Sequence, residues 1–348
     1  MVRSYIAEPE TFNSRSVSVH LDECVDLLKV LHENVSPAAF DRCPSVHKNG
    51  GGHLDDHIFD VFETAEHYLT EIRRDAAVKH ERESNPAQGS KSKHDLSGTN
   101  WEGELPADIG DLFGHGRRLS KALQKGMSTT GKWHPVPCHN DLVVGNFVRG
   151  RVDDSNGVPA SAASIDASKQ TCAPSGREWK RRLYLIDFEY SALGDRCFDL
   201  ANLCINSDLT RAQVDRVVRR YFTEDPLPEM SEKIISEHGD ATDENKKMLL
   251  EVLVAEGRAR VELLKLLSDL REGLWSYAHG LCVEEQQRRQ RRSKSALEGD
   301  DQDDSSVLPP SFYKEYGRKH LDRFRRNLRV NASNIEAWVK CITEASDF

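Results

Sequence analysis

Apolar residues recur at helical spacing through most of the chain after Phe198. They mark one helix around 214–221, a long helix over about 243–285, and a final pair of helices at about 311–328 and 333–345. Apolar side chains three and four positions apart lie on one face of a helix, where they can pack against a core. This part of the chain is therefore predicted to be almost entirely helical.

The first half of the chain adds more helices and a few short strands. The same periodicity predicts helices at 21–33, about 54–72 and about 107–124. Short apolar stretches that look like strands lie at 136–138, 146–148 and 183–186. Apolar runs of three or four residues are shorter than ordinary helices. The predicted fold is mainly α, with a small β element near the middle of the chain.

Three polar stretches interrupt this pattern, at about 75–104, 151–179 and 286–309. In the second of them, Ser, Ala, Gly and Pro supply 14 of 29 residues. Such a composition buries too little apolar area to offset the entropy lost on ordering. We therefore expect three flexible insertions in one helical scaffold that spans residues 1–348.

Charge and hydropathy exclude several classes of protein. The 348 residues carry 48 Lys and Arg against 57 Asp and Glu, a net charge of -9, and the mean hydropathy is -0.62. A net negative chain is a poor general binder of nucleic acid. The basic run at 288–294 has an acidic neighbour at 300–304 and is predicted to be a solvated loop. No apolar run approaches the roughly 18 residues that a membrane span requires.

The cysteines and the first residues of the chain predict a cytoplasmic protein. The eight cysteines form no CxxC pair, and several of them lie in apolar stretches. This pattern is typical of buried thiols in a reducing compartment and not of a disulfide framework or a zinc site. The first ten residues contain no apolar core, so they do not resemble a signal peptide.

Two short motifs carry the residue types that phosphoryl transfer requires. The first is His139-Asn140-Asp141 followed by Asn146, and the second is Asp187-Phe188 at the end of an apolar strand. One carboxylate must accept the proton of the attacking hydroxyl group, while a carboxylate and an amide oxygen must hold Mg²⁺. Each motif alone would be an ordinary turn or cap. Together and in this order, they favour a kinase fold.

The residues around these motifs resemble the choline/ethanolamine kinase family, within the kinases that are similar to aminoglycoside phosphotransferases. The segments CHNDLVVGNF and LYLIDFEYSALGDRCFDLANL carry the resemblance. Two later segments, 270–276 and 313–317, resemble the W-G-L-W-S segment and the late F-x-Y-x-x-Y helix of this family. The resemblance covers nearly the whole chain apart from the three insertions.

The resemblance implies an activity, its cofactors and the residues that perform it. The family phosphorylates choline or ethanolamine with ATP and Mg²⁺, as the first step of phosphatidylcholine or phosphatidylethanolamine synthesis. By resemblance, Asp141 would be the catalytic base and His139 would brace the loop. Asn146 and Asp187 would bind the metal and, through it, the nucleotide.

The resemblance also implies a site for the ammonium group of a small amino alcohol. Trp275 and Tyr316 would supply its aromatic walls, and Glu272 and Glu189 its acidic groups. A cation over an indole ring is stabilised by about 2 kcal/mol when it is desolvated. Alternatively, Trp275 is a packing residue that anchors the long helix in the protein core.

Three departures from the family pattern leave the substrate and the activity open. Glu272 replaces the first Trp of W-G-L-W, and Asn206 replaces a typical Glu, so choline and ethanolamine are not distinguished. Residues 1–8 resemble the hinge between the two kinase lobes. The Gly-rich loop and the nucleotide-binding Lys should precede this hinge, and Gly50–Gly52 is no substitute for them. The sequence is therefore interpreted as a kinase C-lobe without its N-lobe.

Two alternative functions follow from these departures. One is a catalytically impaired pseudokinase or truncated isoform that acts as a binding module, for example as a homodimer or as a heterodimer with a paralogue. The other is a related kinase for another hydroxyl substrate, such as an aminoglycoside or a sugar. Phosphate positioning by the missing lobe would supply a large part of the catalysis, so we expect weak activity from this chain.

Overall fold

The computed structural model describes residues 7–36, 58–84, 101–130, 133–152, 165–166, 180–223, 243–294 and 308–344. The described helices are α1 (Ser14–Val19), α2 (Leu21–Asn34), α3 (Val61–Ser84), α4 (Ile109–Thr130), α5 (Arg196–Asn206), α6 (Arg211–Thr223), α7 (Asp243–Lys294), α8 (Pro310–Val330) and α9 (Ala332–Glu344). The strands are β1 (Ala7–Thr11), β2 (Ile58–Phe59), β3 (Val136–Cys138), β4 (Phe147–Val152), β5 (Ile165–Asp166), β6 (Lys180–Leu185) and β7 (Ala192–Gly194). The mainly helical fold with a small β element is confirmed.

The chain forms two compact units. The first contains residues 1–60, 122–265 and 337–348, and the second contains residues 61–121 and 266–336. In the part of the chain that the structure describes, no helix is both long enough and apolar enough to cross a membrane.

All seven strands belong to the first unit, where they form two small sheets. One sheet has the order β1-β4-β6-β5 and is antiparallel throughout. The other has the order β2-β7-β3, with β2 parallel and β3 antiparallel to β7. β3 and β4 are consecutive strands in different sheets, so the loop that joins them runs from one sheet to the other.

Helix α2 forms much of the core of the first unit. Its buried apolar side chains follow the helical repeat, at Leu21, Cys24, Val25, Leu28 and Leu31. Such spacing places them on one face. This face packs against α6, α5 and the strands β3 and β6. Helix α2 therefore contacts both sheets, including β3, the strand that leads into the loop between the two sheets.

Two glycines bring helices α7 and α8 close together in the second unit. A Cβ atom on Gly317 would lie 2.7 Å from the ring of Tyr277 and 2.9 Å from the carbonyl oxygen of Gly273. A Cβ atom on Gly273 would lie 2.7 Å from the side chain of Leu321. Only residues without a side chain permit this approach, so the glycines fix how the aromatic residues beside them meet.

Replacing Gly317 with alanine is expected to lower the free energy of unfolding by about 1–3 kcal/mol, because the new methyl group would overlap packed atoms. Gly114→Ala is the matched control, since its Cβ atom would have nothing within 4 Å. That variant is expected to gain about 0.5–1 kcal/mol from helix propensity. Urea denaturation of both variants measures the difference, and equal unfolding free energies would contradict the close packing.

The edges of the three predicted insertions differ from the expectation. Helix α3 continues to Ser84 and α7 to Lys294, while β4 ends at Val152 and β5 lies at 165–166. Trp101 is buried, and its Nε1 donates to Glu284 Oε2 at 2.6 Å. The remaining parts of the insertions, at 85–100, 153–164, 167–179 and 295–307, lie outside the described residues.

Other predictions at the ends and in the turns of the chain are met only in part. Residues 1–6 of the predicted hinge and Gly50–Gly52 lie outside the described residues, while residues 7 and 8 begin β1. Among the described cysteines, the prediction of buried thiols is confirmed for Cys24, Cys138, Cys197 and Cys204. It is wrong for Cys282, which is exposed, and Cys341 is half-buried.

Candidate active site

The loop at 139–146, which we call the catalytic loop, leaves β3 and enters β4 through a short helical turn at Val144–Asn146. Its second residue, Asn140, has a φ of 63°. This left-handed conformation is uncommon for a residue other than glycine, although asparagine adopts it more readily than most. The chain therefore turns sharply straight after β3, and it needs contacts from elsewhere to hold this turn.

The carboxylate of Asp199, near the start of α5, supplies those contacts. The backbone N–H of His139 donates to Asp199 Oδ2 at 2.7 Å, and the backbone N–H of Asn140 donates to Asp199 Oδ1 at 2.8 Å. All three residues are buried. Hydrogen bonds from neutral donors to a carboxylate are stronger than those between neutral groups. Asp199 thus fixes the two residues that precede Asp141.

The ring of His139 joins the catalytic loop to the end of β6. Its Nε2 donates to the carbonyl oxygen of Ile186 at 2.9 Å, and its Nδ1 accepts the backbone N–H of Asp141 at 3.3 Å. One ring nitrogen must donate and the other must accept, so this arrangement fits the neutral ring with its hydrogen on Nε2. The ring also packs against Phe188, with centroids 4.8 Å apart.

Asp141 and Asn146 are in contact across the catalytic loop. Nδ2 of Asn146 donates to the carbonyl oxygen of Asp141 at 2.8 Å and lies 3.4 Å from its Oδ2. Asn146 is buried, whereas Asp141 is half-exposed. Because Nδ2 is engaged within the loop, Oδ1 is the atom of Asn146 that remains for a ligand.

The pairing of β4 with β6 places Ile186, the residue before Asp187, opposite Asn146. Phe147 pairs with Leu185, and the backbone N–H of Ile186 donates to the carbonyl oxygen of Asn146 at 3.1 Å. Asp187 follows directly, is exposed, and has a φ of 64°. Carboxylate and amide oxygens are the protein ligands that Mg²⁺ prefers. The donor types at Asn146 and Asp187 therefore fit a magnesium ion.

The predicted substrate residues lie in two places. Glu189 belongs to the first unit and is exposed in the turn at 188–190. The other three belong to the second unit. There the half-buried rings of Trp275 and Tyr316 meet edge to face, with centroids 6.4 Å apart. Glu272 forms an ion pair with the buried guanidinium of Arg271, so its charge is partly neutralised.

Further aromatic residues surround Trp275 in the second unit. The ring of His279 stacks on Trp275 at 5.1 Å, and Tyr313 meets it edge to face at 6.5 Å. Burial lowers the pKa of His279, which favours the neutral ring. The aromatic cluster at 275, 279, 313 and 316 thus presents electron-rich rings of the kind that attract cations.

Two residues that hold the catalytic loop were not predicted from the sequence to do so. Asp199 lies in the FDLAN segment that supported the resemblance, although no role was predicted for it. Asn206 was considered only as a lost negative charge, whereas its Nδ2 donates to the carbonyl oxygen of Leu142 at 3.2 Å. A glutamate at 206 could not donate this bond while ionised. The departure from the family pattern therefore has a structural use.

The catalytic loop and the strand beside it carry the carboxylate and amide oxygens that phosphoryl transfer requires. The family model for choline/ethanolamine kinases matches residues 49–215, which include both motifs. The matched segment is just under half of the chain, and its match to this family agrees with the resemblance found in the sequence. The comparison with curated proteins found no match.

Several solved structures of kinases are similar to this chain. Choline kinase LicA from Streptococcus pneumoniae is 18% identical with a TM-score of 0.45, and the alignment covers 94% of this chain and 69% of LicA. A choline/ethanolamine kinase family protein from Mesorhizobium loti is 15% identical (TM-score 0.47), with coverage of 98% and 72%. Plasmodium vivax ethanolamine kinase is 14% identical (TM-score 0.48), with coverage of 92% and 64%.

Proposed function

We propose that this protein transfers the terminal phosphoryl group of ATP to the hydroxyl group of choline or ethanolamine, which is the first step of phosphatidylcholine or phosphatidylethanolamine synthesis. One observation carries the proposal. The contact between Asp141 and Asn146, together with the β4–β6 register, brings Asp141, Asn146 and the strand end before Asp187 to one end of one sheet.

In this proposal Asp141 is the general base. Its carboxylate accepts the proton of the alcohol as the alcohol oxygen attacks the terminal phosphorus. A new P–O bond forms, the bond from that phosphorus to the bridging oxygen breaks, and ADP leaves with the electron pair. The half-exposed position of Asp141 leaves its carboxylate accessible to a hydroxyl group, while Asp199 fixes the backbone before it.

Asn146 and Asp187 are proposed to hold a magnesium ion through Oδ1 and the carboxylate, respectively. Such an ion, when bound, neutralises charge on the phosphate oxygens. His139 is proposed to brace the site. By joining Asp141 N–H to the carbonyl oxygen of Ile186, its ring keeps the base at a constant distance from the strand that ends at Asp187.

The aromatic cluster of the second unit is proposed to bind the ammonium head group, with Trp275 and Tyr316 as ring faces. Glu272 of the same unit is proposed as an acidic group of this site, and Glu189 is proposed as a substrate residue of the first unit. The half-buried state of Trp275 and Tyr316 supports this role over a purely structural one, because a core residue would have no exposed ring area to offer.

Replacing Trp275 with leucine is expected to raise the Kd for choline about 30-fold, because a desolvated cation over an indole is stabilised by about 2 kcal/mol. Binding is measured by calorimetry, and 3,3-dimethylbutanol, an uncharged analogue of the same shape, is the control ligand. Its Kd should change much less. An equal loss for both ligands would indicate that Trp275 contributes packing only.

A second candidate is a kinase with the same chemistry and another alcohol, such as an aminoglycoside or a sugar. The ion pair between Glu272 and Arg271 favours it, since that carboxylate is already partly neutralised. The Arg271→Leu variant removes the ion-pair partner of Glu272 and distinguishes the two candidate functions. It should improve choline binding if Glu272 faces the head group.

Phosphoryl transfer from labelled ATP to choline, ethanolamine and an aminoglycoside, with Mg²⁺ present, tests the proposed function. Product formation with choline or ethanolamine supports it. Transfer to the aminoglycoside alone would favour the second candidate. Binding of choline and ATP with no transfer to any acceptor would refute the kinase activity and favour a binding module.

A further inference from the structure

A line of buried polar side chains reaches the catalytic loop from the core of the first unit. His32 on α2 lies between Asp199 on α5 and Tyr221 on α6. Its Nε2 is 3.1 Å from Asp199 Oδ2, and its Nδ1 is 2.7 Å from the hydroxyl oxygen of Tyr221. The side chains of His32 and Asp199 are completely buried, and so is Tyr221. His32, Asp199 and Tyr221 are far apart in sequence, and no sequence motif predicted that they would meet.

The bonding partners determine where the hydrogens lie. Each oxygen of Asp199 accepts a backbone N–H group, and Oδ2 also accepts from Nε2 of His32. Nδ1 of His32 then accepts the hydroxyl hydrogen of Tyr221. Burial lowers the pKa of His32 and raises the pKa of Tyr221, so both are neutral at pH 7.

Other charged and titratable groups surround this line. Arg196 disfavours a positive charge on His32, while Asp195 favours it. Cys138, Cys197 and Glu33 act on Tyr221. Burial is the largest influence on the pKa of His32 and lowers it, although the hydrogen bond and the charge of Asp199 act in the opposite direction. The hydrogen-bond pattern is therefore expected to persist across the physiological pH range.

A bound transition metal is the competing explanation, because ligand atoms of His32, Cys138 and Asp199 lie within 4.8 Å of one another. Two facts favour hydrogen bonding. Burial raises the pKa of the Cys138 thiol well above its usual range, whereas a metal requires the thiolate. Both oxygens of Asp199 already accept backbone hydrogens, and a metal would compete with the bonds that shape the catalytic loop.

We propose that His32 and Tyr221 are positioning residues that hold the Asp199 carboxylate in the orientation that accepts the N–H groups of both His139 and Asn140. A carboxylate can rotate about its Cβ–Cγ bond, and two backbone donors alone leave it some freedom. The donor from His32 removes that freedom, and Tyr221 fixes the tautomer of His32. Asp141 follows Asn140 directly, so the line controls where the base lies.

The kinetic part of this inference rests on the proposed function. His32→Leu removes the donor and is expected to lower kcat about 100-fold with KM values little changed, as expected for a displaced base. His32→Gln offers a donor in place of Nε2 and should recover most of that loss. Tyr221→Phe should lower kcat by several-fold. Val217→Ala, also buried on α6, truncates the core without removing a hydrogen-bonding member of the line and should keep the parental kcat.

Hydrogen exchange tests the same inference without any turnover. The amides of His139 and Asn140 should exchange at least tenfold faster in His32→Leu and Tyr221→Phe than in the parent, and this change should be absent in Val217→Ala. If His32→Leu fails to fold, Tyr221→Phe and His32→Gln give the answer. Unchanged exchange at these two amides in the variants would overturn the inference. If exchange is faster in the variants but the parent protein phosphorylates no acceptor, only the proposed function is refuted. If a metal chelator makes these two amides of the parent protein exchange faster, the result would support a bound metal as the explanation.

Discussion

Replacing Asp141 with asparagine is expected to lower kcat for phosphoryl transfer by about 10²–10⁴-fold, the usual contribution of a general base. Asparagine has the same shape and can still accept a hydrogen bond from Asn146 Nδ2, so the catalytic loop should keep its conformation. It cannot accept the proton of the alcohol. The loss should therefore appear in kcat, with the KM values for ATP and the alcohol nearly constant.

The measurement is steady-state transfer with choline and with ethanolamine, over a range of alkaline pH. In the variant, hydroxide from solution can replace the missing base, so its transfer rate should rise with pH. The ratio of the parental rate to the variant rate should therefore decrease as pH rises. Glu10→Gln, an exposed change on β1 in the same unit, is the control and should match the parent. Transfer that survives intact in Asp141→Asn would refute the assignment of the base.

The sequence predicted the helical scaffold well because its helices are amphipathic. Apart from the C-terminal end of α7, the helices after Phe198 were found close to their predicted bounds, since their apolar residues repeat on one face whatever the tertiary fold. The strands were harder to predict. Those around the catalytic loop are three to six residues long and pair with partners far away in sequence. The order of the two sheets is therefore not contained in any local pattern.

Composition misled the analysis where charged residues support a helix. The basic run after residue 286 looked like a break, yet Arg288 bonds Glu284 at 3.0 Å and Arg289 bonds Glu285, each four positions along α7. Pairs at this spacing stabilise a helix. Trp101 was assigned to an insertion because most residues near it in the sequence are polar, yet its own side chain is buried.

The motifs predicted which residue types meet at the catalytic loop, but not what holds them. The spacing of Asp141 and Asn146 is local, so it could be interpreted directly. The support from His32 crosses 167 positions to reach Asp199. Nothing in the spacing of a single sequence indicates a contact over such a distance. A buried polar residue must have a partner, but the sequence alone does not say which one.

Asp187 offers the second large effect. Replacing it with asparagine is expected to lower kcat/KM for ATP by at least about 10³-fold, because a bound metal ion stabilises the transition state by several kcal/mol. Asparagine keeps one oxygen for the metal but loses the negative charge. The backbone should not change, since asparagine tolerates the left-handed conformation that Asp187 adopts. The loss therefore reports on the metal and not on the fold.

Asp208→Asn is a matched control, because Asp208 is also exposed and also has a left-handed φ, of 51°. Titration of Mg²⁺ at fixed ATP distinguishes the variants. Asp187→Asn should require at least tenfold more Mg²⁺ for half-maximal rate, and the control should follow the parent. An unchanged requirement for Mg²⁺ in Asp187→Asn would mean that the metal is held elsewhere. The register of β4 with β6 would then bring the strand end before Asp187 to Asn146 without giving Asp187 a catalytic use.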